Sequence, residues 1–131
     1  MTGLAGPDAD PPQRRVLVVD DQPAFRTVLR TVLEAEPAYT VVGEAADGEE
    51  AVTLALALRP DLVVMDLRLP GVDGAEATRR ILAEDPTQVV VLVSTLRRRD
   101  LPAQLLDCGA VGFLQKESLE PRALEELFVG R

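Results

Sequence analysis

Five short apolar segments recur along the chain, and the residues between them follow a different period. Four of the segments are rich in valine and leucine and do not alternate with polar residues, which is typical of central strands buried on both faces of a parallel sheet. The fifth segment mixes polar and apolar residues, which indicates an edge strand. The unalternating segments are 16–19, 62–65, 89–93 and 111–114, and the mixed segment is 40–45.

The intervening residues have the period of amphipathic helices. The clearest apolar stripe consists of Phe25, Val28, Leu29, Val32 and Leu33. Four further stripes contain Ala51 and Leu54, Ala77 and Ile81, Leu101 and Leu105, and Leu124 and Phe128. Strands that alternate with such helices predict a (βα)₅ chain with right-handed crossovers. The expected fold is an α/β, flavodoxin-like three-layer sandwich with a parallel five-stranded sheet of order 2-1-3-4-5.

Length and composition support one folded domain of common size. The chain has 131 residues, of which 47% are hydrophobic and 27% charged, a balance that argues against disorder. Residues 1–14 are expected to form a disordered N-terminal tail, and residues 15–131 the domain. Apolar runs such as 54–58 are far too short to span a membrane. The single cysteine excludes an internal disulfide and no secretory signal is visible, so a cytoplasmic protein without membrane association is expected.

Charge and histidine content exclude several classes of function. The chain contains no histidine, which removes Ser-His-Asp triads and histidine-based metal sites. Its formal net charge of −8 would be repelled by the phosphate backbone of nucleic acid. Carboxylates are therefore expected to carry the chemistry, and this domain by itself is expected to bind DNA poorly.

Polar side chains follow the predicted strands at the end where ligands bind in such sheets. Asp20 and Asp21 follow the first strand, Asp66 the third, Ser94 the fourth and, one residue late, Lys116 the fifth. Each of them has an ordinary structural explanation by itself, such as helix capping, a turn or solvation. Because the carboxyl ends of parallel strands share one edge of the sheet, the five side chains are expected to converge there.

This combination indicates phosphoryl chemistry at a magnesium site. Clustered carboxylates repel one another, and a hard divalent cation with oxygen ligands, Mg²⁺ above all, relieves the repulsion. Asp66 would be the nucleophile that forms an aspartyl phosphate. Lys116 is the only lysine in a chain whose other basic residues are arginines. A compact, rotatable ammonium suits contact with a phosphate oxygen.

Four motifs resemble the receiver domain of two-component response regulators, and the resemblance extends from about Arg15 to Phe128. The motifs are Val18-Val19-Asp20-Asp21, Val64-Met65-Asp66-Leu67-Arg68-Leu69-Pro70-Gly71-Val72-Asp73-Gly74, Leu92-Val93-Ser94-Thr95 and Gly109-Ala110-Val111-Gly112-Phe113-Leu114-Gln115-Lys116. Arg68 and the phrase Gly112-Phe113-Leu114 look most like receivers joined to helix-turn-helix DNA-binding domains, which implies DNA contacts only through an effector domain absent from this chain.

The resemblance implies a role for each of these residues. Asp66 would accept a phosphoryl group from the histidine of a partner sensor kinase, with Lys116 and Ser94 assisting the transfer. The implied magnesium ligands are Asp20, partly through water, Asp21, Asp66 and the backbone carbonyl of Arg68. Phosphorylation would move a switch pair, Ser94 and Phe113, and change the face that regulates an effector, expected to act in transcription. The chain would be a signalling domain that could form a homodimer, and not an enzyme beyond self-phosphotransfer and autodephosphorylation.

Three other functions share parts of this outline. A receiver with an intact acidic site could signal by binding alone, without phosphorylation. A haloacid-dehalogenase-like phosphatase also uses an aspartyl nucleophile after a strand, but the second acid it needs two residues on is replaced here by Arg68. A flavodoxin-like electron carrier needs a phosphate-binding Ser/Thr/Gly loop after the first strand, where this chain has Asp-Asp-Gln-Pro.

Two loop motifs complete the pattern. Arg97-Arg98-Arg99 should lie near the start of the fourth helix, where the macrodipole disfavours cations. This run is either a solvated loop or a surface that contacts a partner or shields the acidic edge. Pro70-Gly71 predicts a type II turn, with proline in the second position and glycine in the third.

Overall fold

The computed structural model describes residues 13–129, which form a parallel sheet with helices on both faces. The strands are β1 (Arg14–Val19), β2 (Tyr39–Ala45), β3 (Leu62–Asp66), β4 (Val90–Ser94) and β5 (Gly112–Gln115). Their order is β2-β1-β3-β4-β5, so the predicted flavodoxin-like sandwich and its strand order are confirmed. The predicted tail lies outside the described residues up to position 12, and β1 already begins at Arg14.

The helices of the described chain differ in length and in how they begin. They are α1 (Pro23–Glu34), α2 (Gly48–Leu58), α3 (Gly74–Glu84), α4 (Ala103–Leu106) and α5 (Pro121–Val129). The side chains of Asp47 and Asp73 cap α2 and α3 by accepting the N–H groups of Glu50 and Glu76. α4 is a single turn, preceded by a 3₁₀ turn at Arg98–Asp100. None of the described helices has the length and hydropathy needed to cross a membrane.

The sheet separates two apolar clusters, one on each face. Leu29 and Leu33 of α1 and Leu124 of α5 belong to one cluster. Ala55 of α2 and Ile81 of α3 belong to the other. Because β1, β3 and β4 contribute alternate side chains to both clusters, the residues of β3 and β4 and residues 16–19 of β1 are all buried, as the unalternating sequence predicts. Full burial of a leucine or isoleucine contributes about 1.5–3 kcal/mol, so these clusters supply most of the driving force for folding.

One residue of the predicted α1 stripe is not covered by the sheet. Val28 is 56% exposed, whereas Leu29 and Leu33 are buried. Phe25 and Val32 are half-buried. α1 packs mainly over β2 and β1, the edge of the sheet, so that only one flank of its apolar stripe finds a partner. Val28 therefore belongs to the apolar stripe of the sequence but not to the core.

The two edge strands correct a second expectation. The mixed segment at 40–45 forms β2, which lies at one edge of the sheet as predicted. The unalternating segment 111–114 predicts burial on both faces, but β5, which lies at the opposite edge as the predicted order requires, has only half-buried residues. A strand at the edge has one neighbour, and the single turn of α4 covers its face incompletely.

α5 is tied to the start of the sheet by a polar network. Arg14 Nε and Nη2 donate hydrogen bonds to Glu125 at 2.9 and 2.7 Å. The Tyr39 hydroxyl donates a third hydrogen bond to Glu125 at 2.9 Å. The Arg14 guanidinium also lies 3.8 Å from the centroid of the Phe128 ring. These contacts fasten the last described helix to β1 and β2, at the end of the sheet opposite the predicted site.

The loop between β3 and α3 is held close to the end of β3 by glycine. The Gly74 N–H donates to the Leu67 carbonyl at 2.9 Å, and a Cβ at position 74 would collide with the Asp66 carbonyl oxygen. Gly71 has φ +73°, the conformation that the third position of a type II turn requires. Glycine at these positions therefore lets the chain turn sharply directly after Asp66.

Candidate functional site

The polar residues predicted at the strand ends come together at the carboxyl edge of the sheet. Asp66 and Ser94 are the last residues of β3 and β4, and Asp20 and Lys116 directly follow β1 and β5. Asp20, Asp66 and Ser94 are buried. Asp21 is exposed although it is the neighbour of Asp20, since successive residues leaving a strand point to different sides.

Three of these residues form an acidic cluster, which we call the acid cluster (Asp20, Asp21 and Asp66). One carboxylate oxygen of each lies within 4.8 Å of the others. The Gln22 N–H donates to Asp20 Oδ1 at 2.8 Å, and the Arg68 N–H donates to Asp66 Oδ1 at 3.1 Å. In both buried carboxylates, the backbone N–H of the second residue after the aspartate therefore orients one oxygen. The other oxygen faces the centre of the site.

Lys116 provides the positive charge at this centre. Its Nζ lies 2.5 Å from Asp20 Oδ2 and 3.1 Å from Asp66 Oδ2. The Lys116 side chain is only 12% exposed. The ammonium also lies over the ring of Phe25, 4.4 Å from its centroid. The sequence places Phe25 in the apolar stripe of a helix and does not indicate this contact, because no local pattern relates α1 to the end of β5.

The surroundings of Asp66 and Lys116 shift their pKa values. Burial raises the pKa of Asp66 from 3.8 to about 6, and the nearby Asp20 charge acts in the same direction. The Arg68 N–H and the Lys116 ammonium oppose this increase. Burial lowers the pKa of Lys116, but its contacts with the Asp20 and Asp66 carboxylates outweigh burial and leave the pKa raised. Asp66 is therefore an unusually basic carboxylate beside a firmly charged ammonium.

The donor set of the acid cluster fits a hard divalent cation. Three carboxylates share the site with a single ammonium, so their repulsion is only partly offset. Asp20 Oδ2 is buried and, apart from its ion pair with Lys116, accepts no hydrogen bond of regular geometry from residues 13–129. Oxygen donors with one exposed member suit Mg²⁺, which keeps several waters. The backbone of Arg68, the fourth predicted ligand, lies beside Asp66 through its N–H contact.

Ser94 and Phe113, the predicted switch pair, lie on the same face of the sheet but not directly opposite each other. Ser94 pairs with Gln115 and Leu92 pairs with Phe113 in the β4–β5 register. Ser94 is buried, and its Oγ accepts the Leu96 N–H at 3.1 Å. Phe113 is half-buried against the cluster that includes Leu92. Ser94 and Phe113 therefore lie two residues apart along the strand direction on the same face of the sheet.

The arginine run lies farther from a helix start than expected. Arg97–Arg99 precede α4, which begins at Ala103, and two of them form the 3₁₀ turn. Arg97 Nε donates to Asp100 at 3.3 Å, and all three arginines are exposed. The predicted conflict with the macrodipole of the fourth helix is therefore wrong, because the run is outside its first turn.

A groove opens beside the acid cluster. It has a volume of about 640 Å³ and lies between the β3–α3 loop and α4. Asp21 and Arg68 line its end near the site, while Leu69, Leu101 and Leu105 line its walls. The exposed side of the acid cluster is thus accessible to a group that enters along this groove.

Comparison with known proteins identifies the family to which this arrangement belongs. The family model described as Response regulator receiver domain matches residues 16–128, nearly the whole described chain. The chain belongs to this family. The receiver fold and the position of its acidic site therefore agree with the resemblance found in the sequence.

Individual relatives extend the comparison. Protein-glutamate methylesterase/protein-glutamine glutaminase 4 of Myxococcus xanthus is 55% identical over 104 residues, which are 78% of this chain but 29% of that protein. The chain thus spans less than a third of this relative. Protein CcdB of Bacillus subtilis is 42% identical over 111 residues, covering 85% of this chain and 92% of CcdB. The signal receiver domain of the putative response regulator NarL from Mycobacterium tuberculosis, a solved structure, is 35% identical with a TM-score of 0.84, over 92% of this chain and all of that one.

Proposed function

We propose that this receiver accepts a phosphoryl group on Asp66 from a phosphohistidine of a partner sensor kinase, in a Mg²⁺-dependent reaction. The observation that carries the proposal is the position of Asp66, a buried and unusually basic carboxylate between Asp20 and the only lysine of the chain. Family membership supports the same class of reaction. Receivers act in general with histidine kinases, which are cytoplasmic in their phosphotransfer step, so the cytoplasm is the proposed location.

Each site residue has its own role in the proposed phosphoryl transfer. An Asp66 carboxylate oxygen attacks phosphorus, the bond from phosphorus to the histidine nitrogen breaks, and the imidazole leaves with the electron pair of that bond. Lys116 moves its contact from Asp66 towards a phosphoryl oxygen and balances the charge that collects there. Asp20, Asp21, Asp66 and the Arg68 carbonyl would hold Mg²⁺, which when bound neutralises phosphoryl charge and orients it.

The phosphoryl group would then signal through the sheet. With Oγ already accepting the Leu96 N–H, the Ser94 hydroxyl still has its hydrogen to donate to a phosphoryl oxygen. We propose that this contact draws Ser94 towards Asp66 and lets the Phe113 ring turn inward, which changes the face formed by α4 and β5. The proposed output is regulation of transcription through an effector, with a homodimer as the form that could carry it.

Intact-mass measurement after treatment with Mg²⁺ and acetyl phosphate tests the acceptor. We expect the wild type to gain the mass of one phosphoryl group and Asp66→Asn to gain none, because the amide keeps the shape and loses the nucleophilic oxygen. Asp85→Asn is the matched control, since Asp85 is also buried but lies at the opposite end of the sheet. Labelling of Asp66→Asn would move the acceptor elsewhere, and an unlabelled wild type would favour a receiver that signals by binding alone.

A further inference from the structure

Phe25 is the residue of the site that neither the strand-end pattern nor the acid cluster explains. It lies in the first turn of α1, where its N–H donates to the Gln22 carbonyl at 3.1 Å. Its half-buried ring packs against the apolar cluster on the α1 and α5 face of the sheet. The Lys116 ammonium lies over that ring, 4.4 Å from the ring centroid.

The ring completes the surroundings of the ammonium. An ammonium has three N–H donors, and two carboxylates, of Asp20 and Asp66, are in contact with it. Phe25 offers the negative face of its π-system, which attracts a cation without accepting a conventional hydrogen bond. This attraction depends little on the direction in which the N–H bonds of the ammonium point. The ammonium can therefore turn from a carboxylate to another oxygen while it stays over the ring.

We infer that Phe25 is a positioning residue for the acceptor site: its ring holds the Lys116 ammonium between Asp20 and Asp66 and keeps it there when it contacts the incoming phosphoryl group. The expected effect on the rate of phosphoryl transfer rests on the proposed function. The contact between the ring and the ammonium does not, because it is present in the unphosphorylated protein. A leucine at position 25 would fill the core but would offer no aromatic face. Core packing and positioning thus predict different results for the same substitution.

Lys116, as the only lysine, makes the contact directly observable. Selective ¹³C and ¹⁵N labelling of lysine therefore gives side-chain signals from a single residue. We expect the ε-methylene protons of the wild type to be shifted upfield by the ring, and this shift to be lost in Phe25→Leu and retained in Phe25→Tyr. Phe128→Leu is the matched control, because it removes another aromatic ring, stacked on Arg14, from the same face of the sheet.

The same variants are then compared in phosphorylation by acetyl phosphate with Mg²⁺. We expect the rate constant at saturating phosphodonor to fall about three- to tenfold in Phe25→Leu, with the KM little changed, because the ring acts on the transferring group through Lys116. Phe25→Tyr should restore the rate, and Phe128→Leu should stay within about twofold of wild type. Thermal unfolding of each variant measures its loss of packing separately.

Three outcomes would overturn the inference. The first is a Lys116 signal that Phe25→Leu leaves unchanged. The second is an equal loss of rate in Phe25→Leu and Phe128→Leu, which would assign the effect to core packing. The third is a lost ring shift with an unchanged rate. If the wild type takes up no phosphoryl group at all, the proposed function fails, while the lysine signal still decides whether the ring positions the ammonium.

Discussion

Replacing Asp66 by asparagine should make the protein more stable at neutral pH, although it removes the proposed acceptor. Burial raises the pKa of Asp66 from 3.8 to about 6, so the folded protein binds a proton here more tightly than the unfolded chain does. Ionisation of Asp66 above pH 6 therefore costs folding free energy. A rise of about two pKa units corresponds to roughly 3 kcal/mol, a value that already includes the opposing attraction of Lys116. Solvent screening at the open side of the site reduces the expected gain to about 1–2 kcal/mol.

The pH dependence identifies the cause of this gain. Because the folded-state pKa is raised, the contribution of Asp66 is favourable at low pH and is lost as pH rises through about 6. When the pH falls from 7.5 to 5.0, the free energy of unfolding of the wild type should therefore rise relative to that of Asp66→Asn by about 1.4 kcal/mol. Asp85 provides a control of opposite sign, since its hydrogen bonds with Thr87 lower its pKa and its contribution is lost as pH falls.

Urea unfolding followed by circular dichroism, with chelator present, measures these differences at both pH values. We expect Asp66→Asn to unfold at higher urea than the wild type at pH 7.5 and the two midpoints to approach each other at pH 5.0. Asp85→Asn should be less stable than the wild type at pH 7.5. An Asp66→Asn variant that is no more stable than the wild type at pH 7.5, or a stability difference that does not change with pH, would refute the reasoning from burial and repulsion.

Two further predictions concern the metal and the switch. Asp21→Ala should abolish both the Mg²⁺-dependent changes in nuclear magnetic resonance signals near Asp20 and Asp66 and the Mg²⁺-dependent uptake of phosphate; persistence of either would place the metal elsewhere. Ser94→Ala should still be phosphorylated by acetyl phosphate, because nucleophile, metal ligands and lysine remain, but it should lose the phosphorylation-dependent resonance changes across residues 95–113. Wild-type-like changes in Ser94→Ala would remove the hydroxyl from the signalling route.

Local sequence was sufficient for the architecture and for the polar residues that meet at the ends of the strands. An unalternating apolar run and a period of 3.6 residues are both properties of neighbouring positions, so the strands and the helix stripes are visible without the fold. The alternation of these elements leaves few topologies, and the one expected, β2-β1-β3-β4-β5, is observed. Topology then brings Asp20, Asp66, Ser94 and Lys116 to one edge, because each follows or ends a parallel strand.

The tertiary structure decided what depends on burial and on contacts between distant segments. Asp20 is buried and Asp21 exposed although they are neighbours, and this difference depends on what packs around each. Val28 is exposed because α1 lies over the edge of the sheet. The Phe25 ring meets Lys116 only because α1 and the end of β5 are adjacent in space. The raised pKa of Asp66 likewise arises from desolvation and from charges far away in the chain, which a local pattern does not contain.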